Sequence, residues 1–313
     1  MMLARVADSL YWLGRYAERA EHMARLAVVM LNATLDRTDA ADQAARIAVA
    51  AVRAGPAPDY ADALAAARAL ALDPESPTSV VASLASAREN ARQIRDQLTT
   101  ESWERLNLLY LRATGLAAES AFATDAPEFL QRIIADLHQF KGAAEATMSH
   151  GEGWRFMLTG VYVERAQLMA QLLQVCFGGA GVGSVDDHLS LVSLLRMACA
   201  LEPYLRVYTA DINARFILEF LMFDEDFPRS IRFSTERIRE YLGHLSAGRE
   251  PGRHDPSRLA GRLNARLTYA DIDEVEAGGA GPLLAAVLED CVAVHKAIFE
   301  TFVAYPLEMR LPA

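Results

Sequence analysis

Cysteine is scarce in this chain of 313 residues: there are three (Cys176, Cys199, Cys291), far apart and without a Cys-x-x-Cys spacing. That excludes a disulfide framework and a thiolate zinc site, and it fits a reducing, cytoplasmic setting. Basic charge is also short. Thirty-one Lys and Arg face 41 Asp and Glu, for a formal net charge of -10, which argues against nucleic acid as a partner. No long apolar run is present. The longest uncharged stretch, residues 166–185, holds Gln167, Gln171 and Gln174 and ends in a glycine-rich segment from Gly178 to Gly183; it reads as a buried helix entering a loop rather than a membrane span. The N-terminus carries Arg5, Asp8, Arg15, Glu18 and Arg19, which interrupt any signal-peptide core. Strictly alternating β-branched runs are absent too, so no segment reads as a strand.

What is present favours helix. Alanine, leucine, arginine and glutamate dominate, and glycine and proline fall mostly between periodic segments. The pattern predicts helices near 2–33, 39–53, 58–72, 78–98, 101–118, 126–148, 152–177, 187–200, 202–223, 229–246, 256–268 and 282–304. The fold class is therefore all-α, a many-helix bundle. Proline- and glycine-containing turns are expected at Gly55-Pro56, Asp73-Pro74, Pro77, Pro228, Pro251-Gly252 and Gly278 to Pro282.

The chain also repeats itself. Residues 14–26 read GRYAERAEHMARL and residues 160–172 read GVYVERAQLMAQL, with eight identities in thirteen positions at an offset of 146. A second match, at an offset of 151, aligns Leu70 to Val80 with Leu221 to Ile231. Both copies run from an acidic residue through a proline to a serine placed to cap the next helix. Two motifs in the same order imply a duplicated unit, about 1–148 and 149–313, folded as a single body with the halves about a pseudo-twofold axis.

On a first helix at 100° per residue, Val6, Leu10, Leu13, Ala17, Ala24 and Val28 form a core stripe. The opposite arc carries Asp8, Tyr11, Trp12, Arg15, Glu18, Arg19 and His22. Arginines, aromatics and acids together make a recognition surface rather than an ordinary solvated one. The second copy keeps Tyr162, Glu164 and Arg165, with Trp154 and Phe156 upstream. A third polar segment, residues 87–107, offers Arg88, Glu89, Asn90 and Arg92, then a cap at Thr99 or Thr100. Two readings stay open. In one, Glu18 and Arg19 pair with Arg165 and Glu164 across the halves as a buried network that Arg88, Glu89 and Arg92 complete. In the other, the arginines bind an anionic or peptide-like ligand against a wall made by Tyr11 and Trp12.

Other chemistry is poorly supported. Glu18 and His22 are four apart, as are Glu240 and His244, and no Glu-x-x-His recurs, so no metal is expected. His138, His150, His188, His254 and His295 are scattered, and Cys291 with His295 lacks a third catalytic partner. The glycine run follows a helix and lacks Gly-Lys-Ser/Thr; no cofactor is called for. FDEDFPRS, residues 223–230, reads as a helix stop and a solvated turn, with Arg229 its most notable side chain.

ADSLYWLGRYAERAEHMARL, ARENARQIRDQLTTESWERLN, GWRFMLTGVYVERA and FDEDFPRS together resemble the alpha-E domain family, a bacterial helical family named for its Glu-Arg motif, along nearly the whole chain. The resemblance places Glu18-Arg19 and Glu164-Arg165 at the Glu-Arg pairs and Ala87 to Arg92 at the Arg-Glu-Asn-Ala-Arg segment, and Trp103 to Asn107 match as well. His22 departs, standing where the family more often has Asn. Gln171 departs from Arg25 of the first copy. Family members are encoded beside, or fused to, ATP-grasp amide ligases and transglutaminase-like proteins. The resemblance therefore implies an accessory role in amide-bond formation or processing on a peptide or small metabolite. Three functions follow as expectations: a non-catalytic ligand- or partner-binding protein working with such a ligase; an enzyme using Glu18 or Glu164 held by arginines; and a structural scaffold forming a homodimer, for which the aromatic stretch 297–305 is one candidate contact.

Overall fold

The computed structural model describes residues 2–34, 39–52, 60–179, 185, 187–209, 211–248 and 255–304. Fifteen α-helices run in order through the described residues: α1 (Ala4–Ala33), α2 (Asp39–Ala50), α3 (Ala63–Leu72), α4 (Val80–Gln93), α5 (Thr100–Ala113), α6 (Leu116–Thr124), α7 (Ala126–Thr147), α8 (Glu152–Phe177), α9 (His188–Met197), α10 (Leu201–Tyr208), α11 (Ala214–Phe223), α12 (Ile231–Leu245), α13 (Pro256–Thr268), α14 (Ile272–Gly278) and α15 (Ala280–Ile298). No strand occurs among these residues. The turns at Gly55-Pro56 and Pro251-Gly252, Gly181 and Gly183 of the glycine run, and Asp186, His254 and Tyr305 lie outside the described residues.

Side-chain caps set most helix starts. Ser79 accepts from the Ala82 amide at 3.2 Å and its counterpart Ser230 from the Phe233 amide at 3.0 Å, each satisfying an orphan N–H of the first turn. Thr99, not Thr100, caps α5. Two segments that read as continuous helices are broken. The expected 101–118 helix stops at Thr114, because Gly115 takes φ +83°, a left-handed conformation that glycine adopts without penalty. The expected 202–223 helix breaks at Thr209, φ +56°, where the Tyr204 hydroxyl donates to the Asp211 carbonyl at 2.6 Å. Helix α14 is not evident in the sequence pattern at all.

The core is built around α1. The expected stripe is too narrow: Tyr11, Arg15, Glu18, Glu21 and His22 are buried along with Leu10, Leu13 and Ala17, whereas Val6 is only half-buried. The reason is that α1 is surrounded, with α2, α3, α4, α7, α8 and α9 all packing on it. Its most extensive neighbour is α8. Around that pair α4 packs on α1 and α12 on α8, while α7 packs on α1 and α15 on α8. One continuous apolar core runs through all of these helices.

Helices α1 and α8 meet backbone to backbone. A Cβ on Gly14 would lie well inside contact distance of the Met157 carbonyl and 3.1 Å from the Val161 amide nitrogen. On Gly160 it would strike the Tyr11 carbonyl and lie 3.2 Å from the Arg15 amide nitrogen. Each glycine of the repeated motif thus receives the backbone of the other copy's helix. Either glycine replaced by alanine must push two central helices apart, which costs about 3 kcal/mol. Gly142, inside α7, serves as the control, since a methyl added there would meet nothing within 4 Å. Denaturant midpoints should fall sharply for Gly14→Ala and Gly160→Ala and rise slightly for Gly142→Ala.

Candidate functional site

Neighbouring residues on a helix point about 100° apart, so Glu18 and Arg19 cannot pair with each other. The close approach of α1 and α8 gives each a partner on the opposite helix. Arg165 reaches Glu18 through Nε at 2.7 Å and Nη2 at 3.0 Å. Arg19 Nε reaches Glu164 at 2.6 Å, and Arg15 Nε reaches the other oxygen of the same carboxylate at 2.6 Å. Both carboxylates are almost fully buried.

The two sides of this centre are completed differently. Around Glu18, Lys141 of α7 donates to Glu18 at 2.5 Å and to Glu21 at 2.6 Å. Arg229, from the turn before α12, donates to Glu21 and lies 3.5 Å from Glu18. Arg25 donates to Glu21 at 2.8 Å, and the His138 ring nitrogen lies 3.2 Å from it. The Arg165 Nη1 group donates to the Pro228 carbonyl at 3.0 Å, sealing the side. Burial alone would raise Glu18 above the ordinary 4.5, but Arg165, Lys141 and Arg229 outweigh it and hold the carboxyl well below that value. Glu21 is depressed in the same way by Lys141 and Arg229. His22, enclosed beside them, is pushed down to about 4 by burial and then by Arg229. It is therefore a neutral imidazole at neutral pH, and its Nε2 has no hydrogen-bond partner among the described residues.

Around Glu164 the arrangement is open. Arg15 is fully engaged, donating to Glu164, Gln167 and, at 3.4 Å, the Tyr11 hydroxyl. Arg19 spends only Nε on Glu164; its two terminal nitrogens make no hydrogen bond among the described residues, and its guanidinium lies 5.3 Å above the Tyr16 ring. Both arginines border a cleft of about 830 Å³. Gln167, Gln171 and Gln174 of α8 also line it, as do Asp73, Glu75, Ser76 and Thr78 of the turn before α4. Its apolar lining includes Met23, Leu168 and Leu288. Burial would raise Glu164, but Arg15 and Arg19 prevail and keep it below its ordinary range.

The remaining expected residues are partly elsewhere. Tyr11, Trp12 and Asp8 lie beyond Arg15, away from the cleft. The Tyr11 hydroxyl is 3.0 Å from His295 Nδ1, and Trp12 stacks on Tyr16 with its ring 5.1 Å from the Arg15 guanidinium. Asp8 is raised by partial burial, which the Trp12 indole offsets in part. Arg88, Glu89, Asn90 and Arg92 do not join the centre, contrary to the network expected from sequence. Helix α4 turns Val80, Leu84, Ala87 and Ala91 inward, which leaves these polar residues outward. Arg88 donates to Asn107 at 2.8 Å with its guanidinium 4.8 Å above the Tyr110 ring. Glu89 and Arg92 pair with each other in solvent, and Asn90 donates to the Ser86 carbonyl. Trp154 and Phe156 are core residues, packed on His150 and Phe302. FDEDFPRS is more than a solvated turn, because its Arg229 is only 13% exposed and bonds the centre. Glu21, Lys141 and Gln167 escape sequence reasoning. Of these Glu21, one turn after Glu18, carries the one legible signal.

Among the described residues, no group of three or more His, Cys, Asp or Glu is placed to hold a metal ion. The Cys291 thiol is pushed up to about 12 by burial, which suits a packing role rather than a nucleophile. No single described helix is long and apolar enough to cross a membrane.

The chain belongs to the Alpha-E family, described as a predicted alpha-helical domain with a conserved ER motif, whose sequence profile matches residues 2–303. It is similar to uncharacterised proteins of Mycobacterium bovis and Mycobacterium tuberculosis, 28% identical over 331 residues, an overlap of 94% of this chain and 35% of each relative. The chain thus spans about a third of the length of the curated relatives it matches. No solved structure matches it.

Glu18→Gln would leave Arg165, Lys141 and Arg229 short of their shared counter-charge, at a cost of about 3–5 kcal/mol. The depressed carboxyls also set an acid limit. Their stabilisation is complete above the unfolded value near 4.5 and is lost as pH falls toward their folded values. Denaturant titrations should show stability falling steeply below about pH 4.5 in the parent chain and less steeply in Glu18→Gln.

Proposed function

We propose that this protein is a non-catalytic binding component that holds a small, peptide-like ligand in the cleft beside Arg15 and Arg19. The carrying observation is the lining. Two arginines, two carboxylates (Asp73 and Glu75) and three glutamines line the same cleft. A purely anionic ligand would meet the rim acids and Glu164 as well as the arginines. A ligand bearing both charges and amide groups matches every part of the wall. The volume, about 830 Å³, lies in the range of small-molecule sites.

Catalysis by Glu18 or Glu164 is the weaker reading. Both carboxyls are held below their ordinary range by arginine, and a general base needs a value near the working pH. The scaffold reading has one observation in its favour, the sealed Glu18 side; the cleft on the other side is what it leaves unexplained. In our reading residues 1–148 and 149–313 are duplicated halves related by a pseudo-twofold axis, supported by the reciprocal glycine and Glu-Arg contacts. The protein works in the cytoplasm, where its three unpaired cysteines stay reduced. Its partner is an amide ligase of the ATP-grasp type or a transglutaminase-like protein, as the family resemblance suggests. The mycobacterial relatives, in which the matching region is about a third of a longer chain, fit a unit that acts beside other domains.

Thermal unfolding with the twenty amino acids and a set of dipeptides tests the reading. A true ligand at 100 times its Kd adds about 2.7 kcal/mol, read as a concentration-dependent rise of a few degrees. If no compound raises the midpoint, the binding reading fails. Co-purification with an ATP-grasp ligase encoded nearby tests the partnership separately.

A further inference from the structure

The two copies of the repeated motif have met the same problem in different ways. Each brings a Glu-Arg pair to the α1–α8 contact, and each is approached by an acidic-proline-serine turn. In the second copy that turn closes the site: Arg165 Nη1 donates to the Pro228 carbonyl at 3.0 Å, and Arg229 reaches Glu18 and Glu21. The corresponding residues of the first copy are Arg19, Pro77 and Thr78, with Gln167 in the place of Glu21. Here the turn does not close. Arg19 makes no bond to Pro77, Thr78 is too short to cross, and the cleft lies between them. On the α15 side, Leu288 borders the cleft without supplying a cation, whereas α7 supplies Lys141 to the closed side.

The open site therefore has a specific deficiency. The two terminal nitrogens of Arg19 lack the oxygen acceptor that Arg165 finds in Pro228. Asp73 and Glu75 on the rim have side-chain oxygens free to receive a cation, one Asp73 oxygen being taken by the Glu75 amide. An acceptor is needed at Arg19 and a cation at Asp73 and Glu75.

We propose that the closed copy is structural and the open copy is the receptor, and that the cleft takes a short peptide by its C-terminal carboxylate on the terminal nitrogens of Arg19. The ligand's ammonium group lies toward Asp73 and Glu75. This rests on the binding reading above and adds the ligand's orientation and the reason only one side binds. The carboxylate replaces the Pro228 carbonyl of the closed twin, and a charged acceptor on a guanidinium makes a stronger bond than a neutral one.

The test is affinity-selection mass spectrometry on the full chain with two pools, dipeptides with free C-termini and the same dipeptides amidated at the C-terminus. Two variants narrow the cleft from opposite walls: Thr78→Arg, which copies the closed twin, and Gln171→Trp. Both positions are solvent-accessible in part, so circular dichroism and the unfolding midpoint should stay near those of the parent. The expected result is retention of free-acid dipeptides, at least tenfold weaker retention of their amides, and loss of retention in both variants. Equal retention of the amidated pool, or full retention by both variants, would overturn the orientation and the site while leaving binding intact. Retention of neither pool by the parent chain would overturn the binding reading itself.

Discussion

Everything in this molecule follows from how closely α1 and α8 approach. Gly14 and Gly160 remove the side chains that would hold the two backbones apart, and the helices then meet at a distance only glycine permits. That contact excludes water from the Glu-Arg pairs. It also decides their pairing, because adjacent residues on one helix diverge and each must find its partner on the other. The result is a buried crossed arrangement, Glu18 with Arg165 and Glu164 with Arg19. Such pairs add little net stability over apolar packing, but they penalise any other register of the two helices. Register matters here because a shift of one residue would rotate every polar group away from its partner.

A second constraint is charge balance. Glu18 and Glu21 together bury two negative charges, and the fold answers with Arg165, Lys141, Arg229 and Arg25. Glu164 has Gln167 at the position corresponding to Glu21, so Arg15 and Arg19 satisfy it without help from the turn before α4. The different filling of the two sides goes with Glu21 against Gln167, Arg229 against Thr78, and Lys141 on the closed side only. On the side with the extra carboxylate, Lys141 and Arg229 meet it and the turn closes; on the other side a cleft lies beside Arg19.

Sequence and structure agree most where the physics is local. Helical periodicity, the serine caps at Ser79 and Ser230 and the acidic stops at Asp73 and Asp224 depend on residues within a few positions of each other. The all-α class and most helix boundaries were legible for that reason. The breaks at Gly115 and Thr209 were less so, since a left-handed residue leaves periodicity intact on both sides. At the site, Glu18, Arg19, Glu164 and Arg165 were legible because the motif occurs twice. Arg88 and its neighbours looked equally suitable by composition; what separates them is the face α4 turns to the core, which depends on Val80, Leu84, Ala87 and Ala91 meeting α1.

The order of residues was enough to specify the helices, their caps, the repeated motif and the need for two glutamates and two arginines to find distant partners. It took the packed molecule to bring Lys141 and Arg229 onto one side, to leave two Arg19 nitrogens without a bond among the described residues, and to open a cleft lined by Asp73 and Glu75. The division has a simple physical origin. Backbone hydrogen bonding and side-chain periodicity act over a few residues, whereas the meeting of groups 63 to 211 positions apart depends on helix packing that no local pattern encodes.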